Sequence, residues 1–152
     1  MVMKLGYDIL SINVAGKEIR EKRKILIYGS CVEVEYPHFY EKYSQGRVPL
    51  KVCLEKDHMN MVGFKVASII ARVDLNEIII LTVDGSPHCV QLHMMMEEVE
   101  KITGKRGKLN VRHIVIENGK DIEVNPTCIK VARYLTKIQR LMEKKVNDNT
   151  SV

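Results

Sequence analysis

Glu77-Ile78-Ile79-Ile80-Leu81-Thr82-Val83, running directly into Asp84-Gly85-Ser86-Pro87-His88-Cys89, is the stretch on which the reading of this chain turns. From Ile78 to Val83 every residue is apolar or β-branched, as a strand buried on both faces requires. Asp84-Gly85 is a turn signal. Ser86 suits a helix N-cap, and Pro87 suits the first helical position. From Val90, the residues Leu92, Met95, Met96, Val99 and Ile102 recur at helical spacing and predict a core-facing helix that stops at Thr103-Gly104. The unit is therefore strand, turn, cap and helix, with Cys89 in the first helical turn. The same grammar returns at Asn125-Pro126-Thr127-Cys128. Backbone N–H groups at a helix start are unpaired and favour negative charge, which biases a thiol there towards thiolate.

Working outward, Lys24-Ile25-Leu26-Ile27-Tyr28 predicts a buried strand that ends at Gly29-Ser30, with Cys31 just beyond it. An aromatic-rich loop follows and predicts a short helix over 38–43. Val48 to Leu54 alternates like a strand, with Pro49 suited to its first residues or to an edge. Cys53 lies near its carboxyl end, in a pattern that Leu54 continues, and so fits a ligand role least of the four cysteines. Residues 59–73 are apolar almost all round and predict a well-buried helix. Leu109 to Glu117 predicts another strand, and Asn118-Gly119 a hairpin returning as a short strand over 121–124. A last helix is expected from Pro126 to about Lys144. The order predicts an α/β fold: a single three-layer domain with a mainly parallel sheet, a C-terminal hairpin strand and a long C-terminal helix. Residues 1–23 read as an N-terminal arm with strand character over 9–14, residues 24–144 as the α/β domain, and 145–152 as a flexible tail.

The chain has 152 residues, 45% of them hydrophobic and 28% charged, which excludes a disordered polymer and allows one full core. No apolar run has bilayer-spanning length, and Met1-Val2-Met3-Lys4 lacks the apolar core of a signal peptide, so a cytoplasmic protein without a membrane partner is expected. The formal charge of +5 permits contact with anions without requiring it. Neither G-x-x-x-x-G-K-[ST] nor G-x-G-x-x-G occurs, so the usual phosphate cradles are missing.

In open α/β sheets, ligands gather outside the carboxyl ends of the strands. Cys31 and Cys89 map there directly, Cys53 lies near its strand's end, and Cys128 opens the helix after the hairpin. Four thiolates on converging loops could hold a [4Fe–4S] cluster or a zinc ion, with Ser86 and His88 beside it and His88 able to replace Cys53 as a ligand. His58, in a polar turn, and His93, one turn beyond Cys89, read first as cap or surface residues, and His113 as structural.

Cysteines dispersed over loop tips of such a sheet, with Gly29-Ser30-Cys31 after the first strand and Asn125-Pro126-Thr127-Cys128 late in the chain, resemble the cluster-binding domain of nickel–iron hydrogenase small subunits and the related subunit of quinone oxidoreductases. Those families pair two ligands closely in sequence. Here Val32-Glu33-Val34 follows Cys31 instead. The resemblance implies one cubane cluster, an electron-transfer or cluster-handling role and a redox protein partner.

Two other classes stand beside this reading. One is a cofactor-free binding module that uses the basic stretches 17–24, 105–108 and 130–145 on RNA or an acidic protein. Its base-stacking support is thin, because aromatic residues make up 5% and gather at Tyr36 to Tyr43. The other is a thiol redox enzyme centred on Cys89, with His88 as its activating neighbour.

Overall fold

A computed structural model describes residues 4–149. The ends of the expected arm and tail, 1–3 and 150–152, lie outside the described residues. Strands β1 (Tyr7–Asp8), β2 (Lys24–Gly29), β3 (Val48–Val52), β4 (Glu77–Val83), β5 (Val111–Glu117) and β6 (Lys120–Val124) form one sheet in the order β1-β3-β2-β4-β5-β6. All pairings are parallel except β5 with β6. The helices are α1 (Lys17–Lys22), α2 (Val32–Glu35), α3 (Pro37–Ser44), α4 (Met59–Arg72), α5 (Pro87–Ile102), α6 (Pro126–Ala132) and α7 (Leu135–Asn149).

Side-chain alternation along β2 and β4 splits the core in two. Ile25, Ile27, Ile78 and Ile80 face one side, under Val62, Val66 and Ile69 of α4 and Leu92, Met95 and Met96 of α5. Leu26, Tyr28, Ile79 and Leu81 face the other, under Val32 of α2 and Phe39, Tyr40 and Tyr43 of α3. Both faces are covered, which is why these strands read as continuous apolar runs. Pro49 is the second residue of β3, where β1, paired only at Leu50 and Lys51, makes no demand on its missing N–H.

Four local expectations are corrected. The strand expected over 9–14 is replaced by the two-residue β1, because Asp8 Oδ1 accepts the Leu10 N–H at 2.9 Å and Asn13 Oδ1 the Ala15 N–H at 3.0 Å, turning the chain twice. Ile9 and Ile19 are fully buried, so the arm is packed into the same core as residues beyond 24. Helix α4 buries one face only: Met61 and Phe64 are exposed. The last helix breaks at Arg133-Tyr134. Arg133 ties the end of α6 to Glu97 and Glu98 of α5, and α7 continues through residue 149, where a tail was expected from 145.

Candidate functional site

Chain order makes β2 and β4 the place where the sheet changes direction. From β2 the chain moves outward to β3. It then crosses back to β4 and moves the other way to β5. The loops after β2 and β4 therefore diverge and leave a crevice between them at the carboxyl edge. Gly29-Ser30-Cys31 forms one lip. Asp84-Gly85-Ser86-Pro87-His88-Cys89 forms the other, and Gly85 turns there with φ +96°, a conformation that suits glycine. Ser86 caps α5 by accepting the Cys89 N–H on its hydroxyl at 3.4 Å, and Pro87 opens the helix, as the sequence predicts.

A pocket of about 130 Å³ lies in this crevice, walled by Gly29, Cys31, Cys53, Ser86, His88 and Cys89 among others. A Cβ placed on Gly29 would stand 3.7 Å from Cys89 Sγ and 3.8 Å from Cys31 Sγ. Both sulfurs thus lie within van der Waals reach of one backbone position, which only a hydrogen fills. Cys53 joins from the turn after β3, where its carbonyl accepts the Lys56 and Asp57 N–H groups. All three cysteines are half-buried and free. Burial, then the neighbouring Cys89 and Glu35, push the Cys31 thiol above its ordinary pKa, with a smaller contribution from Cys53.

Cys53, the least favoured by sequence, belongs to the cluster, and Cys128 does not. The antiparallel β6 carries the chain back so that Val124 pairs with His113, near the start of β5. Asn125 and Cys128 therefore open α6 at the opposite edge of the sheet, where Cys128 is exposed. The repeated cap-Pro-x-Cys grammar is real as local structure. Its second copy simply faces the other way. Among the described residues no three His, Cys, Asp or Glu side chains stand close enough to hold one metal ion.

A larger groove of about 490 Å³ shares Ser30, Cys31, Val52 and Cys53 with the thiol pocket. Its wall includes Glu33, which sequence reading did not single out. That carboxylate accepts the Tyr28 hydroxyl at 2.6 Å and lies 3.3 Å from the Lys51 ammonium. Of the histidines, His58 caps α4 through Nδ1 on the Asn60 N–H. His93, within α5 and not at the surface or in a cap as expected, and His113, in β5, are both buried.

The sheet order and the crevice at its switch point place the chain in the broad class of doubly wound α/β folds. A family model described as a Rossmann-like domain matches residues 18–151, and the chain belongs to that family. No curated protein and no solved structure matches it. Among the described residues no helix is long and apolar enough to cross a membrane.

Proposed function

We propose that this chain carries an iron–sulfur cluster on Cys31, Cys53 and Cys89 at the switch point of its sheet, and serves as an electron-transfer or cluster-handling subunit for a redox protein partner. The observation that supports this most is that thiols from the segments after three different strands wall one pocket, two of them within 4 Å of the Cβ position of Gly29. A zinc ion needs its donors on one point at about 2.3 Å each. A cluster spreads its irons over several ångströms, so thiolates that share a pocket without sharing a point suit it better. His88 is the side chain in the same pocket able to serve as a further ligand, and the Ser86 cap fixes the first turn of α5 beneath it. The likeness in layout to hydrogenase small subunits supports the same reading, less Cys128.

After anaerobic purification the protein is expected to contain iron and acid-labile sulfide and to show the broad visible absorption of a cluster. Cys31→Ser, Cys53→Ser and Cys89→Ser should each deplete the iron, and Cys128→Ser should not. A colourless, iron-free, folded protein would sink the proposal. Gly29→Ala is a finer probe. Its methyl group makes only ordinary van der Waals contacts, so stability should stay within about 1 kcal/mol while the iron content falls.

The facing of Cys31 and Cys89 across Gly29 also favours a second reading, a dithiol that exchanges with a partner's disulfide. Two thiols of this chain would then be oxidised to a disulfide as the partner's S–S bond is cleaved and reduced, the two thiol protons ending on the partner's two sulfurs. Iron analysis separates the readings, and a Cys31–Cys89 cross-linked peptide after mild oxidation would identify the second.

A further inference from the structure

At the opposite edge of the sheet, α5, β5, the 105–109 loop and α6 enclose a second cleft of about 410 Å³. His113 lies in its wall and is only 3% exposed. Its Nδ1 is 2.9 Å from His93 Nδ1, and His93 Nε2 is 2.8 Å from Thr82 Oγ1. The far end of this line decides the near one. Thr82 is 1% exposed, and among the described residues its hydroxyl bonds only to His93. If His93 donated to it, the hydroxyl proton would be buried without an acceptor, at a cost of about 1–3 kcal/mol. Thr82 therefore donates to His93 Nε2, and His93 Nδ1–H donates to His113 Nδ1. His113 then carries its proton on Nε2. Among the described residues that nitrogen has no hydrogen-bond partner, and it is not sealed in, because Glu97 Oε1 is the one buried side-chain polar atom there lacking a hydrogen bond. A neutral imidazole is thus locked as an N–H donor into an open cleft.

The charges around it point the same way. Glu97 is neutralised by Arg133 at 3.1 Å and by Lys101 at 3.3 Å, the latter an ion pair without hydrogen-bond geometry. Arg106 and Lys130 line the cleft and ion-pair with no other described residue. Burial and the neighbouring Glu97 raise the pKa of Glu100 against the opposing pull of the nearby Arg106 charge, so its carboxyl takes up a proton more readily than an open one. The donors without a hydrogen bond or ion pair among the described residues are His113 Nε2–H, Arg106, which only feels the charge of Glu100, and Lys130.

From this we infer that the cleft is a binding site for a small oxyanion, a carboxylate or phosphate group, held by His113 Nε2–H at its floor and by Arg106 and Lys130 at its rim. The site is independent of the thiol pocket and stands whether or not that pocket holds a cofactor.

The test is a nitrogen-15 spectrum of the histidines in the full chain, titrated with inorganic phosphate and separately with acetate, against sodium chloride at matched ionic strength. The spectrum is expected to show His113 protonated on Nε2 and His93 on Nδ1. One or both oxyanions should shift His113 saturably, and which one does so distinguishes phosphate from carboxylate. Arg106→Gln and Lys130→Gln, both outside the core, should each weaken that binding about tenfold, as loss of a charged hydrogen bond does. Thr82→Val should release the tautomer lock, giving mixed His93 and His113 tautomers and weaker binding. A proton on His113 Nδ1 in the unaltered protein, a response no greater than chloride's, or saturable binding indifferent to both rim variants would overturn the inference.

Discussion

Between pH 7 and pH 5 the protein is expected to lose stability steeply, and the loss should trace to His93 and His113. Burial holds both rings neutral in the folded state. It lowers His93 from 6.5 to about 3, with His113 adding to the effect, and His113 from 6.5 to about 4, with Glu97 opposing. The unfolded chain binds two protons on these residues below pH 6.5 that the folded chain refuses. Stability is therefore complete above pH 6.5 and drains away as the pH falls towards the folded values. Each fully mismatched histidine contributes a slope of about 1.4 kcal/mol per pH unit, so the pair approaches about 3 kcal/mol per unit. Against a typical total of about 5–15 kcal/mol, two units consume a large share. The carboxylates act lower. Asp121, held down by Lys42, and Glu123, held down by Arg112, begin to lose their contribution only as the pH approaches their ordinary values of 3.8 and 4.5. Urea midpoints at pH 7, 6 and 5 measure the slope. Replacing the whole line with Thr82→Val, His93→Leu and His113→Leu together should flatten it and change stability little at pH 7. His93→Leu alone should cost about 2–4 kcal/mol by stranding the Thr82 hydroxyl and the His113 ring. Unaltered stability from pH 7 to pH 5 in the natural sequence would refute this account.

That buried pair shows where sequence reading reaches its limit. Ile25 to Tyr28 and Ile78 to Val83 announce buried parallel strands, because a sheet covered on both faces leaves no polar alternation to confuse the pattern. Ser86-Pro87 announces the start of α5, because capping is a local matter of one side chain and one N–H. His93 and His113 carry no such mark. They stand twenty residues apart, and only the parallel pairing of β4 with β5 under α5 brings them within 2.9 Å. The thiol pocket lies between these cases. Cys31 and Cys89 could be placed at strand ends, and strand ends of a parallel sheet share an edge. Cys128 required one further step: Asn118-Gly119 predicts a hairpin, and a hairpin reverses the edge at which the next helix begins. Cys53 illustrates the opposite difficulty. Its strand pattern runs on through Leu54, but the ladder ends at Val52 and the turn at 53–57 swings the thiol into the crevice. Sequence periodicity locates strands well and their last residue poorly, and at a carboxyl-edge site the last residue decides membership.

Gly6→Ala is expected to cost about 3 kcal/mol, although Gly6 has no demanding backbone angle and precedes a strand of only two residues. A Cβ there would stand 2.1 Å from the Tyr28 hydroxyl oxygen and 2.9 Å from two carbons of its ring. Tyr28 has little freedom to withdraw. It is fully buried, donates to Glu33 at 2.6 Å and packs against Tyr40 with ring centroids 5.1 Å apart. Tyr40 in turn donates to the Lys4 carbonyl at 2.6 Å, so the ring that backs Tyr28 also holds the entering chain. The segment before β1 must therefore lift off, and β1 should loosen from β3 with it. Because β1 brings Asp8 to the larger groove, that groove should open while the crevice between Cys31 and Cys89, built on β2 and β4, stays as it is. Hydrogen exchange separates these effects: faster exchange at Ile9, whose N–H bonds to the Lys51 carbonyl at 3.2 Å, with unchanged exchange in β4. In a Tyr28→Phe background the closest contact is gone and the ring contacts remain, so a double-mutant cycle should return about 1 kcal/mol or more of coupling. Additive effects, or a Gly6→Ala protein as stable as the natural one, would mean that the first residues do not rest on Tyr28 and that the core ends at β3.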